Sequence, residues 1–133
     1  MELKDLVAMV PFAGKLGIEL DAADKDEVRG RMAWAPEKCT SFDVMHGGAL
    51  MSFADTLGAV CAFLNLPEGS AGTTTVTSST SFFRAVREGE VTAVTRPLHA
   101  GRTVIVVQTD LSDAAGKRVA QVTQTQAVLQ PKS

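Results

Sequence analysis

HGGALMSFADTLGAVCAFL, running from His46 to Leu64, is the stretch that decides the fold. Between Gly47 and Leu64 the only side chains that are neither apolar nor glycine are Ser52, Asp55 and Thr56, so the segment reads as one long helix, apolar nearly all round and therefore buried. Asp55 is then a buried carboxylate. Such a group is costly unless it is paired, hydrogen-bonded or neutralised, which makes it a candidate for chemistry. A helix that begins at Gly47 also presents unpaired backbone N–H groups with no side chain in the way, at the end where the helix dipole favours negative charge. That is a place for an oxyanion.

Outward from this helix the pattern changes. Residues 3–9 read as a short helix stopped by Pro11 and Gly14. Residues 16–22 and 27–34 read as a hairpin around the polar turn at 21–26, followed by a loop over 35–45. Pro67, Gly69 and Gly72 mark a connection, and after it residues 73–83, 90–99, 103–112 and 118–129 are rich in Val, Thr and Ile between turn-forming breaks. Two strands, a long helix and a four-stranded meander make an α+β domain, an antiparallel sheet with the helix on one face. A helix apolar on every side needs more cover than one sheet face supplies. Shelter by a wrapped sheet or by a second copy of the chain is expected.

The 133 residues suffice for one domain, taken as 1–133, and are few for two. With 45% hydrophobic residues, 21% charged residues, a net charge of −2 and a pI near 5.6, the chain has no general affinity for nucleic acid or anionic membranes. Any anion it binds must be held locally. Cys39 and Cys61 are too few for a disulfide framework and lack zinc-site spacing, which points to a reducing cytoplasm. The N-terminal run MELKDLVAMVPFAG carries acids among its apolar residues, unlike a secretory signal, and the apolar helix is interrupted by Asp55 and reads as too short to span a bilayer.

Four segments stand in order along the chain: His46-Gly47-Gly48 with Asp55 nine residues beyond the histidine, Thr77 to Arg84 ending in Phe-Phe-Arg, Val86-Arg87-Glu88-Gly89, and His99-Ala100-Gly101-Arg102-Thr103. HGG alone is a weak motif. The combination resembles the hotdog-fold thioesterases, in particular the phenylacetate-pathway (PaaI-like) branch and the Arthrobacter-type 4-hydroxybenzoyl-CoA thioesterases, over roughly residues 14–130. The resemblance implies a sheet wrapped round the central helix, subunits paired edge to edge into a homotetramer, and hydrolysis of an acyl-CoA to free acid and CoA without metal or other cofactor. It implies that the first turn, Gly47 or Gly48, binds the thioester carbonyl, and that Asp55 from the partner's helix attacks or activates water. His46 positions the turn. Thr40 stands where these relatives commonly have Asn or Gln, Asp43 where glycine is frequent, and Thr75 where a residue orients water or substrate. Arg84, Arg102 and Thr103 match positions that contact CoA, and a guanidinium suits phosphate geometry.

Spacing alone adds one step. Gly47 and Asp55 are about 12 Å apart along a helix, so one reacting carbon cannot touch both, and a site that uses both must draw on two chains. Each residue also has a plainer reading. Asp55 can be a carboxylate satisfied within the core, His46 a turn-holding histidine, the glycines packing residues, the Ser/Thr run a β-branched strand, and the arginines solvated charges. Ser52 shares a helix face with Asp55 or fills a polar corner, while Met51, Phe53 and Phe63 read as core. Function leads: an acyl-CoA thioesterase preferring aryl groups, with short or medium aliphatic chains next. A hotdog hydratase or dehydratase would pair a histidine with an acid or Asn in motifs absent here, and a non-catalytic acyl-CoA-binding module would tolerate loss of Asp55.

Overall fold

The computed structural model describes residues 2–132. Two short helices, α1 (Leu3–Ala8) and α2 (Pro11–Leu16), precede the hairpin β1 (Glu19–Ala23) and β2 (Val28–Ala33). After the long helix α3 (Gly47–Leu64) come β3 (Gly72–Phe82), β4 (Glu90–Ala100), β5 (Val104–Ser112) and β6 (Arg118–Leu129). Pro11 does not simply end a helix, as its position suggested. It opens α2 at the first helical position, where its missing N–H is not needed, and Gly17 ends that helix at φ 68°. The first hairpin strand accordingly begins only at Glu19.

The six strands form one antiparallel sheet in the order β1-β2-β4-β5-β6-β3. The expected four-stranded meander is therefore corrected. β4, β5 and β6 do run as a meander, but β3 lies beyond β6, paired from Gly72↔Leu129 to Phe82↔Ala120. Composition gives the physical reason: β3 carries only Val76 and Phe82 as large apolar residues among Ser, Thr and Gly, so it has too little to bury for a central position and takes an edge.

The sheet curves over one side of α3, the hotdog arrangement. Leu50, Phe53, Leu57 and Cys61 of α3 pack into a core with Val28 and Met32 of β2, Val91 of β4, Ile105, Val107 and Leu111 of β5, and Val119 and Val122 of β6. One sheet covers one side of a helix, and the other side is open. Met51, Asp55, Ala59 and Phe63, each four residues from the next, form an exposed stripe along α3. The expectation of a buried Asp55 is thus corrected within one chain, as are the core assignments of Met51 (40% exposed) and Phe63 (50%), whereas Phe53 is fully buried. With 18 residues at mean hydropathy 1.5, α3 is long and apolar enough by composition to cross a membrane, contrary to the sequence reading. Its packing against the sheet makes it the core helix of a globular domain.

Gly58 shows how tightly that packing is set. A glycine inside a helix is about 1 kcal/mol less favourable than alanine, yet a Cβ here would lie 1.7 Å from Gln124 Oε1 and 3.3 Å from Val107 Cγ2. Gly58→Ala should therefore lose about 1–3 kcal/mol of stability through overpacking in spite of its better helix propensity. Urea unfolding measures this, and an unchanged or raised midpoint would contradict it.

Candidate active site

The site begins with the cap of α3. His46 is extended at φ −60°, ψ 135°, and its Nδ1 accepts from the Gly48 N–H at 2.7 Å, while its carbonyl accepts from Ala49 and Leu50. The histidine thus holds the turn. It also decides between the two glycines, because the Gly48 N–H is occupied by the imidazole whereas the Gly47 N–H has no hydrogen-bond partner among the described residues. A side chain at either position needs a neighbour to shift: a Cβ on Gly47 would lie 3.0 Å from Cζ of the exposed Phe82 ring, which can move, and one on Gly48 would lie 2.8 Å from His46 Nδ1, which caps the helix.

The preceding loop fixes that cap in place. Thr40 N–H donates to Val44 O, Met45 N–H to Val86 O and His46 N–H to Lys38 O, each at 2.8 Å. Phe42 and Asp43 both adopt positive φ, 62° and 60°. That conformation is what glycine accepts most readily, and it accounts for an aspartate here being a departure from the common pattern. Thr40, Gly47, Leu50, Phe82 and Arg84 line one groove at the start of α3. The structure therefore brings together the open amide, the Thr40 position and one of the arginines.

Asp55 faces a different cleft. There α1 and the segment after it meet the exposed stripe of α3, and Leu6, Met9, Val10, Ala59, Val60 and Phe63 line an open apolar cleft of about 180 Å³ with Asp55 and Thr56 as its polar members. The cleft continues past Phe12, Met51 and Ser52 to Ser78 of β3. Ser52 and Thr56 donate their hydroxyls to carbonyls one turn back, Gly48 O at 2.7 Å and Ser52 O at 2.9 Å. Asp55 is the acid that remains, and Gln124 Nε2 donates to its Oδ1 at 2.8 Å. Ser78, rather than Thr75, borders this cleft: Thr75 sits at a β-bulge and its hydroxyl accepts from Gln126 Nε2 at 2.8 Å.

The two arginines are not together. Arg84 follows β3 and its N–H reaches Val119 O near the start of β6, whereas Thr103 O, beside Arg102, accepts from Val128 N–H near the end of the same strand. Nine residues of strand put these anchor points about 30 Å apart. Arg84, Arg102 and Thr103 are all exposed, but one chain does not gather them into a single anion site. The thiols offer no rival nucleophile. Burial pushes Cys61 up to about 11, and Cys39 is also raised, chiefly by burial, so both stay protonated at neutral pH. Among the described residues no three His, Cys, Asp or Glu side chains are grouped to hold a metal ion.

Gln124 escaped the sequence reading, although a signal was present. Residues 120, 122, 124, 126 and 128 of β6 all point inward, and glutamine occupies two of these positions where an apolar residue is the rule.

Comparison with known proteins identifies the family and the fold. Residues 42–120 match the family model of the thioesterase superfamily. The chain is 33% identical over 103 residues to the proofreading thioesterase EntH of Cronobacter turicensis, covering 77% of this chain and 74% of that one. It is 28% identical over 118 residues to the 1,4-dihydroxy-2-naphthoyl-CoA hydrolase of Escherichia coli, covering 89% and 86%. Among solved structures, a mutant thioesterase from Pseudomonas aeruginosa superposes with a TM-score of 0.90 at 29% identity, covering 97% of this chain and 94% of that one. A thioesterase from Haemophilus influenzae gives the same TM-score at 28% identity, covering 98% and 92%.

Proposed function

The chain belongs to the thioesterase superfamily and hydrolyses thioesters, and from that premise we propose that its substrate is an acyl-CoA cleaved at a site shared between two copies of the chain. One observation carries this reading: the open Gly47 amide and Asp55 lie on one helix, about 12 Å apart, and face separate clefts, so each needs the other from a second copy. In the shared site the thioester carbonyl oxygen accepts from the Gly47 N–H, which stabilises the negative charge that develops there. Asp55 of the other copy either attacks the carbonyl carbon, expelling CoA thiolate and leaving an anhydride for water to open, or takes a proton from the water that attacks. Both routes end in free acid and CoA.

The free edge supports the pairing. β3 is an 11-residue edge strand with Val76 61% exposed and no Lys or Pro to blunt it, a surface suited to continuing the sheet into the β3 of a second copy. Two such pairs would make a dimer of dimers. The apolar stripe of α3 supports the same arrangement, and two free thiols suit a reducing cytoplasm. The apolar cleft favours an aryl or short to medium acyl group, since a cavity of about 150 Å³ accommodates benzene. The E. coli relative named for an aromatic CoA ester points the same way. Turnover of aryl, short, medium and long acyl-CoAs, followed by release of free thiol, tests the proposal. Aryl and shorter esters should lead, and no thiol release from any ester would overturn it. A hydratase would consume an enoyl ester without releasing thiol, and a binding module would do neither.

Arg84 and Arg102 are the candidates for the CoA phosphates. Because they lie about 30 Å apart along one chain, they can meet one CoA only if they come from different copies. Arg84→Ala and Arg102→Ala should each raise KM about 10-fold with kcat nearly unchanged, as expected when a contact is made equally in ground and transition states. Steady-state kinetics at two salt concentrations checks this, and an unchanged KM would place the phosphates elsewhere.

A further inference from the structure

Gln124 is a buried polar group in contact with Asp55 that the mechanism so far leaves unused. It points inward from β6, is 1% exposed, and lies over Gly58 in a slot that any Cβ would fill. A carboxylate only accepts hydrogen bonds, so the amide nitrogen must face Asp55, and Nε2 donates to Oδ1 at 2.8 Å. This orientation strands the other end of the amide, because Oε1 is buried with no hydrogen-bond partner. The neighbouring inward glutamine is different: Gln126 donates to Thr75 Oγ1 and accepts from Thr73 Oγ1, both at 2.8 Å. Gln126 is satisfied at both ends as a structural residue should be, while Gln124 gives up one hydrogen bond and requires a glycine in the middle of the core helix.

From this asymmetry we propose that Gln124 is a positioning residue for Asp55, resting on the reading of Asp55 as nucleophile or base. Its N–H fixes one carboxylate oxygen from the core side, which leaves the other to face the cleft. Nothing else holds Asp55 among the described residues, since the acid stands on an exposed helix face. Without Gln124 the carboxylate would rotate freely between rotamers and meet the thioester in a productive pose less often.

The test compares Gln124→Met, Asp55→Ala and the double variant as full-length protein, with kcat, KM and thermal midpoint measured for each. Gln124→Met removes the donor and the stranded carbonyl together, so the midpoint should hold or rise while kcat falls about 10- to 100-fold and KM changes little. In the Asp55→Ala background the same substitution should change residual turnover hardly at all, because Gln124 acts only through Asp55. Should Gln124→Met not fold, Gln124→Leu, which likewise removes both the N–H donor and the stranded carbonyl, carries the same test and should also lower kcat. Full kcat in a folded Gln124 variant, with Asp55→Ala inactive, would overturn the positioning role alone. Near-normal kcat in Asp55→Ala would overturn the reading of Asp55 and the role of Gln124 with it. A fall in midpoint with kcat per folded molecule unchanged would make Gln124 structural.

Discussion

Asp55→Ala should lower kcat by about 100-fold or more, since nucleophilic and general-base groups contribute to rate on that scale. The protein should nevertheless fold. Asp55 lies on the exposed stripe of α3 and makes one hydrogen bond, to Gln124, so its removal disturbs no packed apolar contact. Thiol release from the best acyl-CoA, measured with the thermal midpoint and the oligomeric state, separates lost chemistry from lost structure. Near-normal kcat would remove Asp55 from the reaction, whereas loss of folding would show that its place on the helix was misjudged.

The contrast between Asp55 as expected and Asp55 as found shows what a sequence carries. The apolar run from Gly47 to Leu64 located the long helix correctly, because eighteen residues with three polar exceptions leave few other structures. The same run overstated burial. Hydrophobicity records every surface that a residue covers, in its own chain or against another, and the stripe Met51, Asp55, Ala59 and Phe63 is apolar around its acid without being covered in one chain. The strand segments were likewise legible from their Val, Thr and Ile content, with ends correct to within a few residues. Their order was not, because alternation along β3 says which face is inward and nothing about which neighbour it meets.

The candidate site divides in the same way. The His46 imidazole accepts from the Gly48 N–H, a local interaction between residues two apart that a sequence can carry. Arg84 and Arg102 looked equivalent in sequence, and only the register of β6 reveals that they sit at opposite ends of the sheet. Gln124 is 69 residues from Asp55 along the chain, so their contact depends on β6 packing against α3 and has no local signature. Glutamines at inward strand positions were the visible trace of it.

The central claim is that each site draws Gly47 from one copy and Asp55 from another, and restoration of activity by mixing tests it most directly. Gly47→Pro deletes the proposed donor at the first helical position, where proline is compatible with the helix, and the exposed Phe82 ring has room to move aside. Gly47→Pro and Asp55→Ala should each be inactive but folded. When the two are dissociated and reassociated together, a mixed pair places both defects in one site and neither in the other, so random exchange should restore about a quarter of wild-type activity. Return of thiol release as chains exchange is the result predicted. If exchange is verified and the mixture stays inactive, each site is built within a single chain and the shared-site account is wrong.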